Sequence, residues 1–260
     1  MPAWRESPHE APLRPERELI PYEASVFRAD RALVLAAHAD DEVLGCGAAL
    51  ADLRERGAGL FVLVLTDGAS DEPDEAVRRV TAEERAGESR AALRALGGGE
   101  LVQGAFRDRE LDGKRAEVSL EVRRAVKSLA PDLVFVPSPV EIHPDHRALS
   151  EAFLLGAGEL PPRTSVAFYE LSQPIRPNFL FDATRHAGAK ERAMSAFVSQ
   201  NRQRDYPGFI RGLNAYRRMT LPPAVTSAEA YYVLPAGELA GLPLGRLRAR
   251  IGPADFEEGP

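Results

Sequence analysis

The chain has 260 residues, enough for one large domain, and is 44% hydrophobic and 28% charged. That balance excludes a disordered or fibrous chain, and at this length neither a disulfide nor a structural metal is needed to hold a fold. A net charge of −6 leaves no basic footprint for nucleic acid, and one cysteine, Cys46, excludes both an internal disulfide and a cysteine-based zinc finger.

Residues 1–26 carry Pro2, Pro8, Pro12, Pro15 and Pro21 among charges and read as an extended arm without its own core. They contain no apolar segment of the secretory kind, and no run elsewhere is long enough for a bilayer helix. The expectation is a cytoplasmic protein without integral membrane association. Residues 33–37 form a short, wholly apolar strand, as expected where both sheet faces are covered. A helix follows over about 42–56, stopped by Gly57, then a second apolar strand at 60–65. Residues 74–96 are alanine-rich and charged, a helix ending at Gly97. Residues 101–103 make a short strand and 117–129 a helix. Residues 133–136 make a strand closed by Pro137, 145–155 a helix and 165–171 a strand. Beyond it, 190–197 and 210–218 read as helices, and 228–234 as a strand or the edge of a helix. Alternation of this kind predicts βαβ units, hence a Rossmann-like, doubly wound, mostly parallel sheet with helices on both faces. One domain is expected over 27–250, with residues 251–260 a loose acidic tail.

Ligands of such sheets bind beyond the carboxyl ends of the strands. Two loops there hold unusual residues: His38-Ala39-Asp40-Asp41-Glu42 after the first strand, and His143-Pro144-Asp145-His146 soon after the fourth. Three of the five histidines lie in these two loops. Imidazole nitrogen with carboxylate oxygen suits Zn²⁺ with one coordination position left open, and iron(II) suits the same donors. There are more such groups than a closed structural site uses, which is what hydrolysis needs: one group for the water and one for the leaving group. A competing explanation is helix capping, since acids are favoured at helix starts and Pro144 at a first helical position. Capping does not explain the histidines. A nucleotide-binding Rossmann site is rejected, because acids follow the first strand where a glycine-rich loop would be required.

The first loop, followed by Leu44-Gly45-Cys46-Gly47, resembles the AHPDDE signature of the PIG-L/LmbE-like zinc-dependent N-deacetylases, and the second resembles their HPDH signature. Supporting matches are Thr66-Asp67-Gly68, Arg85 and Glu88, Phe106-Arg107-Asp108, Tyr169-Glu170, Lys190, Ser199-Gln200 and Ala228-Glu229-Ala230-Tyr231. The resemblance spans about 31–232. It implies that His38, Asp41 and His146 hold Zn²⁺ and that Asp40 is the general base. It also implies that His143 stabilises the oxyanion and protonates the amine, that Asp145 orients His143, and that Arg85 and Asp108 contact substrate. The implied activity is removal of an N-acyl group, foremost acetyl, from an N-acetylglucosamine derivative or glycoconjugate. Alternatives are an amidase acting on a thiol conjugate or an acylated natural-product precursor, and a non-catalytic sugar-binding protein. Ala39 departs from the family's proline, which loosens the expected loop geometry.

Other residues have plainer readings. Arg85 and Glu88 also fit a surface ion pair, and Asp108 a loop turn. Cys46 reads as a small buried residue, His9 as solvated and His186 as a surface residue. Trp4, Tyr22 and Tyr216 fit a lid or a sugar platform as well as core packing.

Overall fold

The protein is described from a computed structural model over residues 15–69 and 72–253. The first half of the chain runs α1 (Glu16–Leu19), β1 (Arg31–Ala36), α2 (Asp41–Glu55), β2 (Gly59–Thr66), α3 (Glu75–Ala95), β3 (Glu100–Phe106), α4 (Arg115–Leu129), β4 (Leu133–Pro137) and α5 (Pro144–Gly156). The second half runs β5 (Ser165–Tyr169), β6 (Phe179–Asp182), α6 (Ala187–Met194), α7 (Val198–Asn201), α8 (Tyr206–Arg217), β7 (Ala228–Pro235), α9 (Ala236–Leu239) and α10 (Leu244–Ile251).

The seven strands form one sheet in the order β3-β2-β1-β4-β5-β7-β6. β1 to β5 are parallel, as βαβ repetition requires; β7 then runs antiparallel to β5, and β6 antiparallel to β7. The expected mostly parallel sheet is therefore present, with an antiparallel pair added at one edge. Residues 228–234 resolve as strand. β6 has no counterpart in the sequence reading: its four residues fall below the length at which periodicity separates a strand from a loop.

β1 shows why the sheet is double-faced. Ala32, Val34 and Ala36 join one core with α2, α3 and α6, while Leu33, Leu35 and Ala37 join the other with α4, α5 and α10. Alternating side chains of an apolar run must point to opposite faces, so both faces need covering. β1 also lies between β2 and β4, where the winding direction of the sheet reverses. The start of this pair is levelled by Asp132, whose Oδ2 accepts the N–H groups of Asp30 and Arg31 at 2.7 and 2.8 Å. With Ala32 opposite Leu133 and Val34 opposite Phe135, the two strands also end close together, and the crevice of the fold opens at their carboxyl ends.

Two contacts seat α2 against the sheet. A Cβ on Gly45 would lie 2.4 Å from Cδ2 of Tyr169, so only glycine lets α2 approach β5 there. The Tyr169 hydroxyl donates to the Leu35 carbonyl at 2.8 Å. Further along α2, the N–H groups of Ala48 and Ala49 donate to the buried Glu229 carboxylate at 2.8 and 2.9 Å. Glu229 is neutralised by the buried Lys190 at 2.7 Å.

Of the proline-rich arm, residues 15–26 are described. They make a single helical turn at α1 and then pair Ser25 alongside Phe181, with the Ser25 N–H on the Leu180 carbonyl at 2.7 Å. The arm thus covers the exposed edge of β6. Phe27 follows it into the core and stacks on Phe179 with ring centroids 4.2 Å apart. Trp4, His9, the first prolines of the arm and residues 254–260 of the expected tail lie outside the described residues.

Candidate active site

β1 ends at Ala36, and the chain turns through residues 37–40 before α2 begins at Asp41. The Asp41 carboxylate shapes that turn: its Oδ2 accepts the N–H groups of Ala37 and His38, both at 2.9 Å. The far side is pinned by Thr66, whose N–H and hydroxyl both donate to the Ala37 carbonyl. Asp40 then adopts a left-handed φ of 118° with ψ −28°, a conformation costing a non-glycine residue about 1–3 kcal/mol. Although it precedes the helix, its side chain makes no capping bond, and its own N–H donates to Glu42 at 3.0 Å. Capping therefore accounts for Glu42 and for one oxygen of Asp41. It leaves Asp40 unexplained.

In the second loop, His143 caps α5: its Nδ1 accepts the Asp145 N–H at 3.2 Å, and Pro144 fills the first helical position. With Nδ1 accepting, the ring hydrogen of neutral His143 sits on Nε2. One turn into the helix, His146 points back at the first loop. Its Nε2 lies 3.2 Å from His38 Nδ1 and 3.2 Å from Asp41 Oδ1, and His38 Nδ1 lies 3.8 Å from Asp41 Oδ2. Three side chains from segments more than a hundred residues apart thus converge on His146 Nε2. A tetrahedral ion with bonds of about 2.0–2.1 Å has donor–donor edges of about 3.3 Å, which the two 3.2 Å separations at His146 Nε2 match, so these side chains suit a small divalent cation such as Zn²⁺. The His143 ring stands beside it, centroids 4.6 Å from His38 and 5.2 Å from His146. The three imidazoles each bring a nitrogen within 4.8 Å of the others.

Burial and charge divide the two aspartates. Burial would raise the Asp41 carboxyl, but the charge and hydrogen bond of His146, with His38, carry it below the usual carboxylate range. Burial also raises Asp40, and Asp41 beside it adds to the effect; Arg85 offsets only part, so its carboxyl titrates well above the usual range. Burial lowers His143 to about 4, helped by the positive charge of His38 and His146. His146 is disfavoured as a cation by burial, yet Asp41 and Glu141 raise it to about 10 in the chain without metal. Glu42 is pushed by burial up to about 7.

The remaining expected residues fall as follows. The Asp145 carboxylate lies on His38, with Oδ2 at 3.2 Å from Nε2; it also accepts the N–H groups of Arg109 and Leu111 at 2.5 and 3.1 Å. The hydrogen bond it shares with His143 comes from its backbone N–H, so the imidazole its carboxylate orients is that of His38. Asp145 thereby ties the loop after β3, including half-buried Asp108, to the same edge. Arg85 is buried on α3, not part of a surface pair: it donates to the Ala39 carbonyl and reaches Asp40 Oδ2 at 3.9 Å. Its hold on Ala39 ties down the turn where proline was expected. Glu88, also buried, accepts the N–H and hydroxyl of Ser199, both at 2.7 Å. Cys46 is buried in the core, while Tyr22 and Tyr216 are exposed.

His186 is corrected: it is buried, not at the surface, 3.3 Å from Asp52 and 3.5 Å from Glu55 at the far end of α2. Arg56 and Arg185 already pair with those two acids, so a divalent cation there would meet no net negative charge. This is an ion-pair cluster joining α2 to the turn before α6. One residue of the main site escaped the sequence reading altogether: Glu141, buried two positions before His143, with Oε2 3.8 Å from His146 Nδ1. A lone acid in a loop carries no periodic signal, and only its place next to the second signature could have marked it.

Together, fold and site define a Rossmann-like α/β protein with a potential metal-binding group of side chains at the reversal point of its sheet. The chain belongs to the PIG-L family: the GlcNAc-PI de-N-acetylase profile matches residues 33–155, which contain both loops. It is 32% identical over 209 residues to the 1D-myo-inositol 2-acetamido-2-deoxy-alpha-D-glucopyranoside deacetylase of Kineococcus radiotolerans, covering 62% of this chain and 58% of that relative's length. To the diacetylchitobiose deacetylase of Thermococcus kodakarensis it is 30% identical over 197 residues, covering 65% of this chain and 70% of the relative. The fold is shared with the N,N'-diacetylchitobiose deacetylase of Pyrococcus horikoshii, with a TM-score of 0.65 at 23% identity over 80% of this chain and 85% of that one.

Proposed function

We propose that this chain is a metal-dependent hydrolase that removes the acetyl group from a 2-acetamido-2-deoxyglucose unit. The observation that carries the reading is the approach of His38 Nδ1 and Asp41 Oδ1 to His146 Nε2, each at 3.2 Å, beside an aspartate that makes no capping bond. The sugar is drawn from what the inositol and chitobiose relatives named above act on. Residues 27–250 would form the catalytic unit. Among the described residues no helix is long and apolar enough to cross a membrane, and a cytoplasmic location is the expectation from the lone cysteine.

His38, Asp41 and His146 would hold Zn²⁺, or iron(II) with the same donors. When bound, the cation supplies Lewis acidity toward the amide carbonyl and makes a water acidic enough to attack near neutral pH. Asp41 serves better than His143 as the third donor, since Nδ1 of His143 is already taken by the Asp145 N–H and its Nε2 carries the ring hydrogen. His143, whose ring lies beside His38 and His146, would donate its Nε2–H to the developing oxyanion. Because His143 is held neutral, it donates a hydrogen bond and keeps its proton. The proton taken from the water is carried by Asp40, whose raised carboxyl both accepts it and returns it to the departing amine. The products are acetate and the free amino sugar, and atoms balance with one water. Arg85, hydrogen-bonded to the Ala39 carbonyl, sets its charge beside Asp40. Asp108, on the loop tied to Asp145, would contact sugar hydroxyls.

The test is acetate release from a panel of N-acetylglucosamine glycosides, with and without a chelator, alongside metal analysis. Activity on at least one glycoside, abolished by chelation and restored by Zn²⁺ or iron(II), is expected. Purified protein that retains no metal and deacetylates none of them overturns the proposal.

A further inference from the structure

Each of the two imidazoles in the donor set has a carboxylate behind it. For His38 it is Asp145, at hydrogen-bond distance from Nε2. For His146 the nitrogen turned away from the site, Nδ1, is buried and has no hydrogen-bond partner, and the carboxylate facing it is Glu141, 3.8 Å away. Glu141 is itself held rigid: it accepts the Leu171 N–H at 2.6 Å, the Ser172 N–H at 3.1 Å and the Ser172 hydroxyl at 2.6 Å. Leu171 and Ser172 follow β5, on the same carboxyl edge of the sheet as the two signature loops.

We propose that Glu141 is a positioning residue for the cation site, setting His146 in the Nδ1–H tautomer and joining it to the loop after β5. The inference rests on the metal-binding reading above. His146 can offer Nε2 to a cation only with its remaining hydrogen on Nδ1. A buried N–H without an acceptor costs free energy, and an anionic acceptor removes that cost while making the opposite nitrogen a better donor. Glu141 is the acid so placed, and its three anchors keep it from relaxing toward solvent. The carboxylate therefore does two jobs at once: it ties down the main chain of residues 171–172 and orients a ligand imidazole.

The experiment uses the full chain with its metal removed and then titrated with Co²⁺, followed by competition with Zn²⁺. The Nδ1–H proton of His146 is read by NMR on ¹⁵N-histidine-labelled, Zn²⁺-loaded protein. Glu141→Gln keeps the size of the side chain and an oxygen for the loop but no longer presents an anion to Nδ1. It is expected to weaken metal binding by about 10–100-fold and to lose the protected Nδ1–H signal. Ser172→Ala removes a loop anchor and leaves the carboxylate; it is expected to retain both the affinity and the signal. Equal losses in the two variants, or wild-type affinity in E141Q, would reduce Glu141 to a loop staple and overturn the proposal. Should E141Q not fold, Glu141→Asp carries the same test: its shorter reach is expected to weaken binding, and unchanged affinity and signal overturn the proposal. A wild-type chain that takes up no Co²⁺ counts against the metal site itself, and the inference falls with it.

Discussion

Asp40 sits in a backbone conformation that favours glycine, and its carboxylate is buried without being used as a cap. Both features cost stability, and both are explained if the side chain must face a reacting water. Asparagine tolerates the left-handed region better than most residues, so Asp40→Asn separates chemistry from fold. The expected outcome is a fall in turnover of about 10²- to 10⁴-fold with bound metal retained, read by acetate release and metal analysis on the same preparation. Near wild-type turnover would exclude Asp40 as the base. The neighbouring aspartate behaves differently because one of its oxygens is tied to two backbone N–H groups while the other faces His146. Adjacent residues of the same type have thus been given different work by one turn of the chain.

At the scale of elements, α2 does most to place the site, since its first turn carries Asp41 and its approach to β5 sets where that turn lies. The approach depends on Gly45, which has the Tyr169 ring where a Cβ would go. Tyr169 is fully buried, with its hydroxyl on Leu35, so the ring has little room to retreat. Gly45→Ala is therefore expected to destabilise the chain by about 1–3 kcal/mol despite the better helix propensity of alanine, measured by urea unfolding. Unchanged or increased stability would mean that the helix shifts freely, and that the placement of Asp41 does not depend on this contact. The crevice end of each βαβ unit was legible in the sequence, because apolar strands followed by polar loops mark it. The antiparallel β7 and β6 were not. A strand of four residues and one of uncertain type differ from loops only by the partner they find.

For the molecule as a whole, the site is a contact between its first and fourth strand units, and its protonation links local chemistry to global stability. In the chain without metal, Asp41 and Glu141 raise His146 to about 10 against the opposing effect of burial. The folded-state value lies above the ordinary value of about 6.5, so the stabilising contribution is complete below about 6.5 and is lost as pH rises through about 10. The metal-free chain is accordingly expected to lose thermal stability across that window, less steeply in a His146→Gln variant. Over the same range, uptake of a cation must displace the His146 proton, so apparent metal affinity should rise with pH up to about 10. Differential scanning fluorimetry and metal titration at several pH values check both trends. Flat profiles would show that His146 is already neutral in the metal-free fold.

What the sequence determined by itself was everything encoded within one strand and the loop that follows it: a parallel α/β sheet, and two loops of histidines and aspartates at its ligand-binding edge. Local spacing suffices there, because an apolar run must be covered on both faces and its polar continuation must leave the sheet. Only the tertiary structure decided which atoms meet: that Asp145 backs His38, that Glu141 stands behind His146, that Arg85 reaches Ala39 and Asp40, and that His186 is buried at the far end of α2. Those pairings join residues brought together by strand register and helix seating, and a difference of one residue in either would turn the same side chains elsewhere.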